Sequence, residues 1–301
     1  MSITRQHQTE KTDFDEAPPH VSGLRRFSKV FFGRKLVAFG FFVIMVIVVL
    51  AIFAPLIAPY NPVQIDMSSR LQPSSWNHWF GTDFQGRDTL SRVIYGSRIS
   101  LIIGISAVTI GAVTGMALGL LAGYLGNYTN TVIMRLTDAL MAFPGLLLVL
   151  IIAAMLGSGL RNTIIALSVG MIPMFTRLTR AQIISLVEND YILAGRVIGA
   201  SNLRVMLKHL LPNCFPVLIV AITMQLGMTI LAEAGLSYLG AGVPPPTPAW
   251  GAMVSDGYKY LTINPILSIA PGLAIMLLVF AFNMVGDGLR DALDPRLRGI
   301  L

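Results

Sequence analysis

The stretch YILAGRVIGASNLRVMLKHLLPN, residues 191–213, lies between two long apolar runs and carries four basic side chains. These are Arg196, Arg204, Lys208 and His209. Apolar runs of this kind suit the interior of a bilayer, whereas clustered cationic side chains do not. The stretch therefore predicts a polar connection between two membrane helices, and its side of the membrane sets the topology of the chain.

The composition of the whole chain favours lipid as its main solvent. Of 301 residues, 54% are apolar and 12% are charged, against about 25% charged in a soluble domain. A net charge of +7 would suggest nucleic acid as a partner of a soluble protein, but here its distribution reports topology, and we expect no nucleic acid. One cysteine and four scattered histidines exclude a disulfide framework and argue against a metal site.

Six apolar segments are long enough to cross a bilayer. The first, 36–58, contains no charged residue and would extend about 34 Å as a helix. The others lie roughly at 99–124, 130–157, 162–177, 206–232 and 264–286. Pro144 and Pro173 predict kinks in the third and fourth, where neighbouring helices can satisfy the freed carbonyls. The sequence thus predicts an all-α membrane protein with six transmembrane helices.

The distribution of Lys and Arg predicts cytoplasmic N- and C-termini. With the N-terminus inside, the inside segments hold 16 of the 22 Lys and Arg residues, as the positive-inside rule requires. The predicted divisions are a cytoplasmic tail at 1–35, a first transmembrane helix at 36–58, an extracytoplasmic segment at 59–98, and a transmembrane domain at 99–301 with a cytoplasmic loop at 189–212.

A four-residue glycine repeat runs along the second span at Gly111, Gly115, Gly119 and Gly123. Four residues are about one helical turn, so the glycines form a smooth groove on one face that another helix can approach closely. The repeat predicts helix packing. Packing inside the chain is favoured over packing against a second subunit.

Acidic and basic residues alternate in the segment 78–101, HWFGTDFQGRDTLSRVIYGSRISL. Paired carboxylates at Asp83 and Asp88 would favour hydrolysis, but an arginine, Arg87 or Arg92, follows each acid closely. This spacing favours mutual neutralisation, so we predict a structural or gating role, with the tract capping a helix on the outer membrane face. Because nucleotide-phosphate loops and nucleophile motifs are absent from the sequence, we expect no catalytic residues.

Ionisable residues are few in the predicted spans: Arg135, Asp138 and Glu233. Arg135 and Asp138 are three residues apart on a helix and are expected to pair, which argues against a proton relay. The long outer loop at 233–263 contains GVPPPTPAWGAM, where the proline run favours extended geometry and Trp250 is expected to anchor the loop at the interface. A stand-alone secondary transporter or channel is the alternative class.

The opening stretch divides into two short helices around Gly199, with Asn189 or Asp190 capping the first and Ser201 the second. The first helix carries a shallow strip of small and apolar residues: Tyr191, Ala194, Gly195 and Ile198. Such a strip suits insertion into the groove of a partner. An ordinary connecting loop, the alternative, would leave apolar side chains in a cytoplasmic turn without a reason.

The same stretch resembles the cytoplasmic loop of permease subunits of binding-protein-dependent ABC importers, whose pattern is E-A-A-x3-G-x9-I-x-L-P. Ala194, Gly199, Leu211 and Pro212 match it, whereas Leu193 replaces the acid, Gly195 the second alanine and His209 the isoleucine. In that family the loop is a coupling helix that docks on an ATPase subunit. The resemblance implies a docking surface and two loop-closing residues: Leu193, Ala194, Gly195, Gly199, Ala200 and Ser201, then Leu211 and Pro212.

Three further segments, GTDFQGRDTLSRVIYGSRISL, GVPPPTPAWGAM and FNMVGDGLRDALDPRL, are similar to those of C-type permeases of dipeptide, oligopeptide and nickel importers. The resemblance covers about residues 30–300. It implies the type I ABC importer fold in a bacterial inner membrane, a second homologous permease, two cytoplasmic ATPases that hold the ATP and Mg, and an extracytoplasmic binding protein. It also implies inward transport of short peptides by alternating access, with nickel chelate, glutathione or opine as alternative substrates.

Overall fold

The computed structural model describes Phe27 and residues 30–293, and that part of the chain is mainly helical, with one isolated β-bridge (Thr82 to Asp88) and no strand. In chain order the helices are α1 (Lys35–Ile52), α2 (Ala54–Ile57), α3 (Thr89–Leu125), α4 (Asn127–Met141), α5 (Gly145–Leu156), α6 (Leu160–Val187), α7 (Asp190–Val197), α8 (Asn202–Arg204), α9 (Leu211–Tyr238), α10 (Trp250–Tyr258) and α11 (Ile266–Leu293). A 3-10 turn, Met67–Ser69, precedes α3, and a π-helical turn, Val205–Leu210, joins α8 to α9. Most of the predicted tail, 1–35, lies outside the described residues.

Five helical stretches of the described chain are long and apolar enough to cross a membrane: α1, α3, α6, α8 with α9, and α11. The α4–α5 pair adds a sixth span if the two helices, bent by 89°, are counted together. The bend follows Met141, and α5 begins after Pro144, which has no amide hydrogen to continue the helix. Pro173 lies inside an uninterrupted α6. The predicted all-α, multi-span membrane fold is confirmed, and the segment predicted as the third span is two helices with a sharp bend between them.

Helix α3 begins at Thr89, well before the predicted span at 99. Asp88 caps it by accepting a hydrogen bond from the backbone nitrogen of Ser91 (2.8 Å). The acidic and basic tract therefore caps a helix, but that helix is the membrane span itself. The expectation of a separate helix lying on the outer face is wrong, because the polar turns of α3 continue directly into its apolar turns.

The glycine repeat of α3 packs against α6. A Cβ atom built on Gly119 would lie 2.5 Å from the carbonyl oxygen of Thr176, and one on Gly115 would lie 2.6 Å from Cβ of Phe175. Gly111 and Gly123 meet the same helix, at Ser168 and Ile183. Lipid provides no hydrophobic drive between helices, so this close backbone approach and its dispersion contacts hold the pair. The contact is internal to the chain.

Two further close contacts join other helices of the bundle. Helix α1 lies on α11, where a Cβ atom on Gly40 would come within 2.9 Å of Cβ of Met284. Trp250 of α10 is 1% exposed, and its Nε1 donates to the carbonyl oxygen of Val93 on α3 (2.9 Å). The expectation that Trp250 anchors the loop at the membrane interface is wrong, because its ring is packed between α10 and α3.

Candidate functional site

The segment 189–212, called the elbow below, is a helix–glycine–helix connection between α6 and α9. Helix α7 ends before Gly199, which has a φ of +83°. The backbone nitrogen of Ala200 donates back to the carbonyl oxygen of Gly195 (3.0 Å), which is the hydrogen bond of a Schellman helix end. A left-handed φ strains any side chain larger than hydrogen, so the turn itself requires glycine at 199. Ser201 then caps α8, accepting from the nitrogen of Arg204 (3.4 Å).

One side chain of α7 anchors the elbow to the bundle. Ile192 is 1% exposed and packs in an apolar cluster with Leu120 of α3, Ile183 of α6 and Leu210 of the π-helical turn. The strip inferred from the sequence does not include this anchor. Ile192 is out of phase with that strip, but so are the exposed Leu193 and Val197, so the helical phase alone could not have identified the anchor.

The opposite face of α7 carries an apolar surface. Val197 and Ile198 are 87% and 85% exposed, and Leu193 is about half exposed. Ala194 is exposed and Gly195 partly buried, beside them on the same short helix. A Cβ atom built on Gly195 would meet no described atom within 4 Å. The chain's own packing therefore does not require glycine at 195, in contrast to 199.

Hydrogen bonds connect the elbow to the helices that follow and precede it. The Tyr124 hydroxyl at the end of α3 donates to Oδ1 of Asn202 (2.9 Å). Nδ2 of Asn213 donates to the carbonyl oxygen of His209 (2.6 Å) and to the Tyr191 hydroxyl (3.3 Å). Between them runs the π-helical turn, which ends beside Leu211 and the exposed Pro212, a residue without an amide hydrogen. The elbow is thus tied to both α3 and α9.

At the opposite end of the bundle, the two predicted carboxylates are fully engaged in structural contacts. Asp83 binds the Nε of Arg87 (2.7 Å) and lies 3.6 Å from the Nε of Arg92. Asp88 accepts from Ser91 and lies 2.9 Å from Nδ1 of His78. The predicted neutralisation by arginine holds for Asp83 and is wrong for Asp88, whose partner is a histidine. Both acids fix the start of α3, and neither is free to activate water.

The expected pair of Arg135 and Asp138 is also wrong. Asp138 instead pairs with Arg177 of α6 (2.5 Å), and Nε of Arg180 donates to Oδ1 of Asn130 (2.5 Å). Helix α4 lies against α6, and its acid and amide side chains therefore meet arginines of that helix. No group of three metal-ligating side chains occurs in the described chain. Among the described residues, the predicted acids are therefore engaged in structural contacts.

These features define a multi-pass helical membrane protein in which a short helix with exposed apolar side chains joins two spans, a class that includes transporter permeases. Residues 115–299 match the family described as binding-protein-dependent transport system inner membrane component, and residues 22–73 match the N-terminal TM domain of oligopeptide transport permease C. The chain belongs to this permease family and is a multi-pass inner-membrane transport component, not an enzyme.

Curated relatives agree along most of the chain. The dipeptide transport system permease protein DppC of Alkalihalophilus pseudofirmus is 43% identical over 265 residues, which cover 88% of this chain and 87% of the relative. The di/tripeptide permease DppC of Pseudomonas aeruginosa is 43% identical over 290 residues (94% and 96%). The glutathione permease GsiD of Escherichia coli O6:K15:H31 is 48% identical over 259 residues (86% and 85%).

A solved structure of similar fold is the MetNI methionine ABC transporter in an inward-facing conformation. Its matching chain has a TM-score of 0.54 and 21% identity, and the match covers 67% of this chain and 96% of that one. At this identity the likeness concerns the fold, which is that of an ABC importer permease. Membership of the family places the chain in a membrane-embedded transport complex with ATPase and substrate-binding partners.

Proposed function

We propose that this chain forms half of the pathway through which an ATP-driven importer moves short peptides into the cell. The observation that carries the mechanism is the elbow, a short helix with an exposed apolar face and one buried anchor. The two DppC relatives support a dipeptide or tripeptide as substrate. The glutathione permease, itself a relative at 48% identity, supports glutathione as the second candidate, since glutathione is also a short peptide.

The proposed docking surface for an ATPase subunit is formed by Leu193, Ala194, Gly195, Gly199, Ala200 and Ser201, of which Gly195 and Ala200 are partly buried. Gly195 supports this assignment because nothing inside the chain requires it to lack a side chain. A partner backbone that approaches α7 closely gives a reason for glycine there. Leu193 stands where the family pattern has an acid, so we expect apolar burial in place of a charged contact at this position.

Movement of the elbow would reach the membrane spans through its rigid attachments. Ile192 couples α7 to the cluster between α3 and α6. The π-helical turn makes the elbow continuous with α9, and Leu211 and Pro212 close the loop at that junction. Alternating access requires two states that the partner contacts differently. The elbow is the part of the described chain best suited to make that difference.

The proposed assembly contains a second, homologous permease, two ATPases that bind ATP and Mg, and an extracytoplasmic binding protein. Both termini and the elbow face the cytoplasm, as the excess of Lys and Arg on that side supports. The segment 59–98 then lies outside, where the contacts of Asp83, Arg87, Asp88 and Arg92 give it a structural and gating role.

The test substitutes Gly195 with Trp in the complete importer complex. A bulky side chain at 195 has room in the chain, so membrane insertion and abundance should match the wild type. ATPase co-purification and peptide-stimulated ATP hydrolysis should fall by about tenfold or more, since burying a misfitting side chain at an interface costs over 1.4 kcal/mol. The matched control is Gly33→Trp, where a Cβ atom also meets nothing within 4 Å.

Full coupling in Gly195→Trp, equal to that of Gly33→Trp, would contradict docking through this face. The substrate is tested separately with reconstituted complex and its binding protein. Dipeptides should drive ATP-dependent uptake, and glutathione alone doing so would move the assignment to the second candidate. Transport by the isolated chain without ATP would refute the importer mechanism altogether.

A further inference from the structure

A cavity of about 650 Å³ opens at the end of the bundle opposite the elbow. One wall is the chain that leaves α1, including Pro55 and residues 58–63, and the other is formed by α3 and the loop at 246–248. Cavities of roughly 300–1,000 Å³ are the usual size of small-molecule sites. The volume is therefore large enough for a ligand, and its contents are not explained by the docking role of the elbow.

Hydrogen bonds from outside the cavity hold its walls in place. Nη1 of Arg92 donates to the carbonyl oxygens of Pro62 (2.9 Å) and Pro246 (3.4 Å), so one buried side chain fixes both walls. The backbone nitrogen of Tyr60 donates to Oγ of Ser91 (3.1 Å). A cavity whose walls are pinned by hydrogen bonds is preformed and does not have to be ordered when a ligand binds.

Three side chains of the lining, those of Arg98, Tyr95 and Asn61, carry donor groups without described acceptors, whereas the Tyr60 hydroxyl donates to the carbonyl oxygen of Asn77 (2.9 Å). Arg98 is exposed and makes neither an ion pair nor a hydrogen bond with any described residue, and the Tyr95 hydroxyl is likewise without a described partner. They stand three residues apart on α3. Asn61 uses its Oδ1 to accept from Val63, which leaves its amide hydrogens available. Since no Asp or Glu lines the cavity, its electrostatic complement is an anion.

The surface that continues from the cavity is apolar. Ile102 and Ile105 follow Arg98 on the same face of α3, at four and seven residues, and are 41% and 50% exposed. This face belongs to a membrane span. A ligand that matches both parts carries an anionic group at one end and a hydrocarbon chain at the other. Tyrosine and arginine above exposed aliphatic side chains are also the arrangement expected at a membrane interface.

We propose that this cavity binds the phosphate of a bilayer phospholipid, with Arg98, Tyr95 and Asn61 as its donors and the lipid tail along Ile102 and Ile105. A lipid with net negative charge is preferred, because the lining has no carboxylate for a headgroup amine. The bound lipid would fill the space between the chain leaving α1 and α3, and so support the first span against the bundle.

The test measures lipid binding to the full-length protein in detergent by native mass spectrometry, with phosphatidylglycerol as the probe. Arg98→Gln should weaken the tightest lipid site by about tenfold or more, since a charge-assisted hydrogen bond is lost. Tyr95→Phe should weaken it less. The matched control is Arg161→Gln at the start of α6, an exposed arginine outside the cavity, which should leave that site unchanged.

Three outcomes would overturn the proposal. Equal phosphatidylglycerol affinity in Arg98→Gln and Arg161→Gln would remove the anion site. Equal binding of a diacylglycerol, which has no phosphate, would reduce the cavity to an apolar surface. Displacement of the lipid by glycerol phosphate or by a short peptide, at concentrations similar to the lipid, would assign the site to a soluble anion. None of these outcomes depends on the ATPases, so the lipid-binding proposal and the proposed importer function are tested independently.

Discussion

Gly119→Ala tests whether the glycine repeat holds α3 against α6. The added Cβ would lie 2.5 Å from the carbonyl oxygen of Thr176 and 3.0 Å from the backbone nitrogen of Arg180. These are backbone atoms of a packed helix, so the two helices must separate. Overpacking of this kind costs about 1–3 kcal/mol, while alanine gains about 0.5–1 kcal/mol over glycine as a helix former. The net expectation is a loss of about 1–2 kcal/mol.

The same substitution at Gly104 is the matched control. It lies on the same helix, but the nearest atom to its built Cβ is a side-chain carbon, Cγ1 of Ile230, at 3.1 Å. That side chain can shift, so the helix gain should offset the contact and leave stability unchanged within about 0.5 kcal/mol. Both variants are measured by SDS titration of the purified protein. Equal free energies of unfolding for Gly119→Ala and Gly104→Ala would refute the packing argument.

Three further predictions concern the end of the bundle opposite the elbow. Asp83→Asn should lower the free energy of unfolding by about 3–5 kcal/mol in a denaturant titration, because it leaves two buried arginines without their carboxylate. The control, Arg34→Gln, breaks the more exposed ion pair between Arg34 and Asp291 of α11 and should lower it by under about 1 kcal/mol. Hydrogen bonds from Ser68 and Ser69 lower the pKa of Asp66 below its ordinary value of 3.8, so the contribution of this carboxylate to the 3-10 turn is present above pH 3.8 and is lost as the pH falls through the folded pKa. Ser68→Ala should raise that pKa in a carboxyl NMR titration, and an unchanged value would contradict the assignment. Trp250→Phe should lower the free energy of unfolding by about 1 kcal/mol, because the indole hydrogen bond to Val93 is lost. An unchanged thermal midpoint would show that this hydrogen bond does not stabilise the protein.

Apolar length and spacing were sufficient to predict the spans, because lipid requires every backbone group to be satisfied inside a helix. The sequence also predicted which face of α3 packs closely against another helix, since a strict four-residue glycine spacing has few other uses in a membrane helix. Ion pairs were harder to predict. The spacing of Arg135 and Asp138 indicated a local pair, but α4 crosses α6 and brings Arg177 to the acid instead. Such a partner depends on helix crossing, which a single sequence does not encode locally.

The two prolines for which the sequence predicts kinks differ in outcome, and the difference again has a local and a tertiary cause. Pro144 stands beside Gly145, whose built Cβ meets no described atom within 4 Å, and the chain bends there. Pro173 is buried in α6, next to Ile172, whose carbonyl oxygen lies 2.8 Å from the built Cβ of Gly115. Close packing against α3 holds the helix straight enough to continue, whereas the open segment has nothing to oppose the break.

The two glycines of the elbow differ in what requires them. One is explained by local backbone geometry and the other is not. Gly199 follows from backbone physics alone, because a helix that ends in a left-handed turn needs a residue without a Cβ. Gly195 does not, since the helix around it has ordinary geometry and free space. A glycine that the fold does not require weakens the helix by about 0.5–1 kcal/mol relative to alanine. We propose that the reason for this glycine lies in the partner, whose closest approach would then be at 195.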